Sequence, residues 1–204
     1  MREKEEKTSI VFVRHGATDF PKDRIYCDHR EDPPLNREGL DQAALASKRL
    51  AGYDIHAVYS SPSTRAAMTA QAIVADSGAD VEFSEALRER RFGVWEGLYF
   101  EQIERQFATE YQAWKRDKAG YTPAGGETIY QLHDRVARVL GTIVEANRGQ
   151  TVVVVSHVGV IRVAVAAALE MPLANYRCIQ IDHASLTRID YGVTQNNLVF
   201  CNVI

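Results

Sequence analysis

Two uninterrupted apolar stretches stand out in the pattern of hydrophobic and polar positions, and each is soon followed by a histidine. Residues 10–13 and residues 152–155 are apolar throughout, with no polar alternation. Such runs predict buried strands that are covered on both faces, as in a parallel sheet. Ligands of open α/β sheets bind at the carboxyl ends of the strands. The pattern therefore predicts that His15 and His157 meet at one edge of a sheet.

Helical periodicity accounts for three longer segments. Asn36 is predicted to cap a helix that runs towards Ala51 and turns four apolar side chains inward: Leu40, Ala43, Ala44 and Leu50. A second amphipathic helix is predicted over residues 127–145, and a third helix over residues 160–169.

Further strands are predicted over residues 55–59, 178–190 and 198–204 from their β-branched and aromatic content. Strands alternate with helices, and the chain has neither internal repeats nor low-complexity linkers. These features predict one α/β domain over residues 1–204, with residues 1–7 as a flexible N-terminal extension.

Another helix is predicted to start just after the strand 55–59. Ser61 is expected to cap it, and Pro62 to occupy its first position. Arg65 would then lie in the opening turn, beside backbone N–H groups and a helix dipole that favour anions. The alternative interpretation is a solvated arginine on the surface of an amphipathic helix.

The tripeptide Arg14-His15-Gly16 contains groups suited to phosphoryl chemistry. Imidazole is a nucleophile that can accept a phosphoryl group, and a planar guanidinium offers two parallel donors to phosphate oxygens. Gly16 permits a sharp turn where the strand ends. The same tripeptide also occurs in ordinary turns, so it is weak evidence alone. A functional site is favoured because a second buried strand ends in the same way, at His157.

Residues 87–97 are predicted to form a loop, because they contain two glycines, and Glu89 has three arginines close to it in this segment. Hydrolysis of an alkyl phosphate needs an acid for the departing alkoxide and later a base for water, and one carboxyl group can serve both steps. Glu89 is the first candidate and Glu96 the second. The alternative is a solvated, charged loop.

These segments, in this order, resemble the histidine phosphatase superfamily, also called the phosphoglycerate mutase-like family. The resemblance extends from residue 10 to residue 187. It rests on several motifs: Arg14-His15-Gly16, residues 35–39, Ser60-Ser61-Pro62 with Arg65, Thr69-Ala70, Leu87 with Glu89, Phe92-Gly93, residues 95–97, residues 125–128 and Ser156-His157. It implies a phosphoglycerate mutase-like fold, a three-layer α/β/α sandwich with a mostly parallel central sheet.

The resemblance also implies roles for individual residues. His15 would be phosphorylated, Glu89 would act as acid and base, and His157 would donate a hydrogen bond to the phosphoryl oxygens. Substrate binding is expected from Arg14, Arg65, Thr18, Arg90 and Val158, and no metal or cofactor is expected. Attack requires a neutral His15 whose other ring nitrogen donates, we expect, to a backbone carbonyl.

Three positions depart from the pattern of the family. Ala17 stands where many members have glutamate or glutamine, Val158 stands where glycine is usual, and His183 stands where asparagine is common. The backbone N–H of Val158 can still bind phosphate. His183 could shape the pocket, but a structural histidine is the favoured interpretation.

Hydrolysis is favoured over a mutase reaction by the segment between Gly97 and Gly125. A mutase must shield its phosphohistidine from water, which calls for a long closing lid. This segment is short and lacks the adjacent arginine pair of the mutases that the chain resembles, and Pro21 stands where they have asparagine. Arg90 matches a mutase substrate contact, so the mutase remains the alternative.

The composition agrees with a small-molecule enzyme. A net charge of −3 over 204 residues gives no basic field for nucleic acid. Three cysteines without CxxC spacing predict reduced thiols and, with an N-terminus that does not resemble a signal peptide, a cytoplasmic location. No continuous apolar stretch is long enough to predict a membrane-spanning segment. The expected partner is a small phosphorylated metabolite, and a homodimer stays open.

Three other classes of function are weaker. A metal hydrolase could use His15 and His157 as ligands, but no HxxxH or Asp-rich cluster supports it. A phosphopeptide-binding module would need the arginines but not both His15 and Glu89. A nucleotide-driven kinase lacks its GxxxxGK[ST] loop.

Overall fold

Six strands form one mixed sheet within residues 7–26, 31–75 and 79–204, which the computed structural model describes. The strands are β1 (Thr8–Arg14), β2 (Ile55–Ser60), β3 (Val81–Phe83), β4 (Thr151–Ser156), β5 (Leu186–Tyr191) and β6 (Asn196–Val203). Six α-helices lie in the same part of the chain: α1 (Arg37–Leu50), α2 (Thr64–Val74), α3 (Phe100–Gln106), α4 (Ala108–Arg116), α5 (Ile129–Ala146) and α6 (Val158–Ala168). Short 3₁₀ turns cover Glu85–Leu87, Gly93–Trp95 and Leu173–Cys178.

The sheet has the strand order β3-β2-β4-β1-β5-β6. Strands β3, β2, β4 and β1 are parallel, whereas β5 and β6 run antiparallel to their neighbours. Arg14 of β1 is paired with Ser156 of β4, so His15 and His157 follow directly at the same level of the sheet. The predicted α/β fold with a mostly parallel sheet is confirmed.

Helices cover both faces of the sheet, because successive side chains of a strand point to opposite faces. Ile10 and Phe12 of β1 belong to a core cluster with α5 and α6. Val11 and Val13 belong to a second cluster with α1 and α2. Helix α1 follows β1 on one face, and α6 follows β4 on the other. A crevice therefore opens between these two adjacent strands, where α/β proteins bind ligands.

Helix α1 agrees with its predicted boundaries, and the Asn36 side chain accepts a hydrogen bond from the Gly39 nitrogen at its start. Two of the four predicted inward positions are wrong, since Leu40 is 45 % exposed and Ala44 is also exposed. Gly39 and Ala46 are buried instead. The buried face of α1 is therefore rotated about the helix axis relative to the face that was predicted from the apolar side chains.

Several predicted element boundaries are also wrong. Helix α5 begins at Ile129 rather than at residue 127, and α6 begins at Val158 rather than at residue 160. Helix α2 begins at Thr64, two residues later than predicted, and its N-cap is Ser63. The predicted strand 178–190 exists only from Leu186 onwards, because residues 179–185 form an irregular loop at the sheet edge. That loop approaches the crevice.

Some predictions fall partly on segments outside the described residues. These segments contain most of the proposed N-terminal extension, residues 1–6, and also Cys27 and Asp28; the sequence predicts Asp28 and Asp32 in an exposed, charged loop over the site. Cys178 and Cys201 are free thiols. None of the helices in the described part of the chain combines the length and the apolar character needed to cross a membrane.

Candidate active site

His15 lies at the centre of the crevice, directly after β1, and is 8 % exposed. Its Nδ1 is 2.8 Å from the carbonyl oxygen of Gly16. Because a carbonyl can only accept, Nδ1 carries the hydrogen and Nε2 keeps its lone pair. Burial, together with the charges of Arg65 and Arg14, holds the pKa of His15 well below 6.5. The ring is therefore neutral and has one nucleophilic nitrogen.

Packing, rather than backbone conformation, explains why glycine occupies position 16. Its φ is not in the left-handed region, which contradicts the expected need for glycine flexibility at a sharp turn. A Cβ atom there would collide with the backbone of Gly39 in α1. The glycine lets helix α1 approach the end of β1 closely.

Arg14 lies beside His15, and its guanidinium is held from two sides. Its Nη1 donates to the carbonyl oxygen of Ile181 at 2.8 Å, and its Nη2 lies 2.7 Å from Nε2 of His183. Its Nε is buried and has no hydrogen-bond partner among the described residues. Burial lowers the pKa of Arg14 to about 10, which leaves it cationic at neutral pH.

Arg65 is only 1 % exposed and lies in the first turn of α2, as predicted. Its guanidinium carbon lies 3.6 Å from the centre of the Tyr26 ring, a cation–π contact. Its Nη1 lies 3.6 Å from a carboxylate oxygen of Asp32. Asp32 also accepts hydrogen bonds from the backbone nitrogen and the hydroxyl of Thr64. The buried cation is thus in contact with the Tyr26 ring on one side and the Asp32 carboxylate on another.

His157 is completely buried and contacts the crevice through Arg65. Its Nδ1 lies 2.9 Å from Nη2 of Arg65, and its Nε2 lies 2.8 Å from the hydroxyl of Ser61. Since a guanidinium only donates, Nδ1 accepts and Nε2 carries the hydrogen. Burial and the charge of Arg65 keep the pKa of His157 well below 6.5.

This arrangement differs from the expected direct contact between His157 and a phosphoryl group. Both ring nitrogens already have partners in the protein, and the ring does not line the cavity around His15. The centres of the two histidine rings are 5.2 Å apart. The strand ends do bring the two histidines together, but His157 lies behind Arg65.

Glu89 reaches the same crevice from the loop that follows the 3₁₀ turn Glu85–Leu87. Its carboxylate accepts hydrogen bonds from the backbone nitrogens of Arg90, at 2.8 Å, and Gly159, at 3.2 Å. Gly159 is the second residue of α6, so the carboxylate lies against a helix N-terminus, where negative charge is favoured. A side chain at position 159 would collide with this carboxylate.

A cavity of about 850 Å³ joins these groups. Its lining includes the four groups described above, Arg14, His15, Arg65 and Glu89. Thr18 and Val158, which are also predicted to bind substrate, line it as well. The φ of Val158 is ordinary, so the departure from glycine causes no backbone strain.

Arg90 does not line this cavity; it lines a smaller one that adjoins it, and its predicted binding role stays a prediction. Its three guanidinium nitrogens donate to the backbone carbonyls of Glu127, Lys118 and Tyr121. Its side chain is buried, and these hydrogen bonds join the loop that contains Arg90 to the segment before α5.

A second, smaller cavity of about 290 Å³ adjoins the first, and Tyr26 and Glu89 line both. Glu96 lines only the second one, and its carboxylate accepts the backbone N–H of Phe92. Trp95 and Trp114 are buried in a separate aromatic cluster, whereas Tyr26 faces the cavity around His15. No group of three or more potential metal ligands occurs among the residues that the structure describes.

Four contributors to the site were missed or given too little weight in the sequence. Ser61 contacts His157, Asp32 contacts Arg65, Gly159 contacts Glu89, and His183 contacts Arg14. Each contact joins residues far apart in the chain. Three of them carried a local signal: Gly159 directly precedes a predicted helix, His183 departs from the family pattern, and Ser61 belongs to the motif Ser60-Ser61-Pro62.

Comparison with protein families gives one match across most of the chain. The model of the histidine phosphatase superfamily (branch 1) matches residues 10–204. Among solved structures, mycobacterial glucosyl-3-phosphoglycerate phosphatase Rv2419c shares 27% identity and a TM-score of 0.86, over 97% of this chain and 100% of that chain.

Curated relatives include both phosphatases and mutases. Adenosylcobalamin/alpha-ribazole phosphatase of Escherichia coli is 30% identical over 181 residues, covering 89% of each protein. Probable phosphoglycerate mutase GpmB of Salmonella choleraesuis is 30% identical over 190 residues, 91% of this chain and 86% of that protein. Mycobacterial relatives are 34% identical over 185 residues, and the chain spans about half of their length, 50%.

Proposed function

Because the chain belongs to branch 1 of the histidine phosphatase superfamily, we propose that it is a metal-independent phosphatase acting through phospho-His15. Its substrates are small phosphate monoesters. One observation carries the proposal: Nδ1 of His15 is bound by the Gly16 carbonyl, which leaves Nε2 as the nucleophile beside Arg14 in an open cavity. The same cavity supplies a carboxylate, Glu89.

The first step transfers the phosphoryl group to the protein. Nε2 of His15 forms a bond to phosphorus while the bond from phosphorus to the ester oxygen breaks. Arg14 and Arg65 balance the negative charge of the phosphoryl oxygens and hold them in position. Protonated Glu89 gives its proton to the departing alkoxide. His157 contributes by orienting Arg65 through Nδ1.

The second step returns the protein to its starting state. Glu89, now a carboxylate, removes a proton from a water molecule as the water oxygen attacks phosphorus. The bond between phosphorus and Nε2 breaks, inorganic phosphate leaves, and Glu89 is protonated again. The charge stabilisation in both steps comes from the two guanidinium groups, so the scheme requires no metal ion.

The leaving group determines which metabolites are substrates. The cavity around His15 is far larger than a phosphate group and adjoins the smaller cavity, which Arg88, Arg90 and Arg91 line. A compact polar alcohol would fit this space. Relatives named for alpha-ribazole phosphate and glucosyl-3-phosphoglycerate support a phosphorylated metabolite, without selecting one.

A mutase is the second candidate, because a relative of similar identity is named a probable phosphoglycerate mutase. A mutase would keep the phosphoryl group on the protein and return it to another hydroxyl. The short segment between Gly97 and Gly125, which offers no long closing lid, favours water as the acceptor. Arg90, the one residue that matched a mutase contact, is bound to backbone carbonyls.

A screen of phosphorylated metabolites tests the proposal. The protein is treated with EDTA, and released phosphate and rearranged esters are measured separately for each compound. We expect phosphate release from at least one monoester, with kcat/KM unchanged by EDTA. Rearranged ester without phosphate would support the mutase, and activity restored only by Mg²⁺ or Zn²⁺ would contradict the metal-independent scheme.

The cytoplasmic location and the homodimer are still predictions from the sequence. The spacing of the cysteines supports the first, and two of the three are free thiols. Cell fractionation and light scattering of the purified protein test them.

A further inference from the structure

His183 occupies an unexpected place beside the nucleophile. It lies in the irregular loop between α6 and β5, and its ring centre is 5.5 Å from that of His15. The side chain lines the large cavity and is partly exposed there. Its Nε2 is 2.7 Å from Nη2 of Arg14, and within the described part of the chain it shares the hydrogen bonding of that guanidinium with the Ile181 carbonyl.

The hydrogen-bond chemistry fixes the protonation of this contact. A guanidinium has five N–H donors and no acceptor, so Nε2 of His183 must accept. The ring is therefore neutral, with its hydrogen on Nδ1. The second acceptor, the carbonyl oxygen of Ile181, binds Nη1 at 2.8 Å. These two acceptors account for one hydrogen on each terminal nitrogen of Arg14 and leave the remaining donors for a ligand.

The loop that carries His183 is itself anchored on both sides. The backbone nitrogen of Ala184 donates to the carbonyl oxygen of Arg14 at 2.9 Å. The backbone nitrogen of Asp182 donates to the Asn202 side chain at 2.6 Å, and that side chain donates back to the Asp182 carboxylate at 2.7 Å. Residues on both sides of His183 are thus fixed to the sheet, so the imidazole is held in place.

We propose that His183 is a positioning residue: its neutral ring accepts a hydrogen bond from Arg14 and thereby aims the guanidinium at the phosphoryl site beside His15. The inference rests on the proposed function for the identity of the ligand. The contact between His183 and Arg14 is present in the protein without a ligand. A guanidinium held at both terminal nitrogens loses less freedom when phosphate binds, and this lowers the entropic cost of binding.

The charges around His183 keep its ring neutral. Arg14, Lys22 and Arg65 are the cations that act on it, Asp182 is the opposing carboxylate, and His15 faces it as a neutral ring. Burial and the charge of Arg14 lower the pKa of His183 to about 4. A proton on Nε2 would place two donors against each other, so the contact with Arg14 exists only in the neutral form.

Two substitutions of different length test the contact. His183→Gln places an amide oxygen near the former position of Nε2, whereas His183→Asn reaches only as far as Nδ1. Both keep a polar amide, and only the longer one can accept from Arg14. His183→Ala is the deletion control. The dissociation constant of inorganic phosphate, measured by calorimetry at pH 7, reports on the pocket without any turnover.

We expect His183→Ala and His183→Asn to weaken phosphate binding about tenfold, which corresponds to about 1.4 kcal/mol. His183→Gln should stay within about threefold of the unmodified protein. KM should follow the same order, while kcat changes less. If the glutamine and asparagine variants bind phosphate equally well, the role of His183 is purely structural and the proposal is overturned.

Nitrogen-15 NMR of the free protein provides a test that does not depend on catalysis. The chemical shift of Nε2 in His183 distinguishes an unprotonated nitrogen from an N–H group. We expect an unprotonated Nε2 at pH 7. A protonated Nε2 would overturn the positioning role even in an active phosphatase. An unprotonated Nε2 with selective rescue of phosphate binding by glutamine, but no hydrolysis, would uphold it and count against the proposed function alone.

Discussion

Both carboxylate oxygens of Glu89 lie 3.2 Å from the backbone nitrogen of Gly159. The two residues are 70 positions apart in the chain: Glu89 lies in the loop after the 3₁₀ turn Glu85–Leu87, and Gly159 in the first turn of α6. The contact fixes the carboxyl group relative to His157, which directly precedes α6, and to the end of β4. Position 159 therefore controls where the proposed acid lies in relation to the phosphoryl site.

Gly159→Ala tests this control. The added methyl group would meet the Glu89 carboxylate, and because the φ of Gly159 is not in the left-handed region, backbone strain does not confuse the result. We expect kcat/KM for an alkyl phosphate to fall about 10- to 100-fold, as for a catalytic group displaced by about 1 Å. Steady-state kinetics on the best substrate measures the effect.

Gly141→Ala is the matched control. Gly141 lies within α5, and a Cβ atom there meets nothing within 4 Å. This variant should keep full activity and gain about 0.5–1 kcal/mol in the free energy of unfolding, since alanine is the better helix former. Equal activity losses in both variants would show that the effect of Gly159→Ala is not local.

Glu89→Gln separates proton transfer from positioning. The amide keeps the size of the carboxyl group but cannot exchange a proton, so an alkyl phosphate should react about 10²–10⁴-fold more slowly. An aryl phosphate such as p-nitrophenyl phosphate has a leaving group that needs little protonation. Its first step should be much less affected, and a burst of nitrophenol should precede slow hydrolysis of the phosphohistidine. Equal slowing without a burst would mean that Glu89 only positions the phosphate.

Arg90→Ala should reduce stability more than catalysis. It removes the donors for three backbone carbonyls, those of Glu127, Lys118 and Tyr121. The Glu127 carbonyl is the buried one of the three, and an unsatisfied buried carbonyl costs about 1–3 kcal/mol, so urea denaturation should show a loss of about that size. KM per folded molecule should change less than threefold. A large rise in KM at unchanged stability would instead support the predicted role of Arg90 in substrate binding.

The neutral histidines predict how stability depends on pH. Folding lowers the pKa of His15, His157 and His183 below the ordinary 6.5, to about 4 for His183. The unfolded chain therefore binds more protons in this range, and the free energy of unfolding must fall as the pH decreases from 6.5 towards 4. Urea denaturation at several pH values measures the slope. His183→Gln should have a shallower slope, and an equal slope would contradict the lowered pKa of His183.

Local sequence was sufficient for the strands that carry the histidines. The apolar runs before His15 and His157 are long and uninterrupted, and burial on both faces permits few other structures. Arg65 was placed correctly in the first turn of α2 even though the helix begins later than predicted. The Ser61 hydroxyl binds His157 instead of capping the helix, a long-range contact that no local pattern contains.

Side-chain direction in irregular segments could not be predicted. Glu89 and Arg90 are neighbours with similar surroundings in the sequence, but only Glu89 faces the cavity around His15. Without helical or strand periodicity, nothing in the sequence fixes which way each residue points. The contacts of Asp32 with Arg65 and of His183 with Arg14 depend likewise on how loops fold over the end of the sheet.

Trapping the covalent intermediate tests the central claim most directly. The protein is mixed with a ³²P-labelled substrate, quenched within milliseconds and digested, and the labelled peptide is sequenced by mass spectrometry. We predict a label on His15 that is lost in acid and stable in base, forms as fast as the first turnover and is absent in His15→Ala. Normal turnover by His15→Ala, or hydrolysis with no labelled protein at any time, would contradict the mechanism.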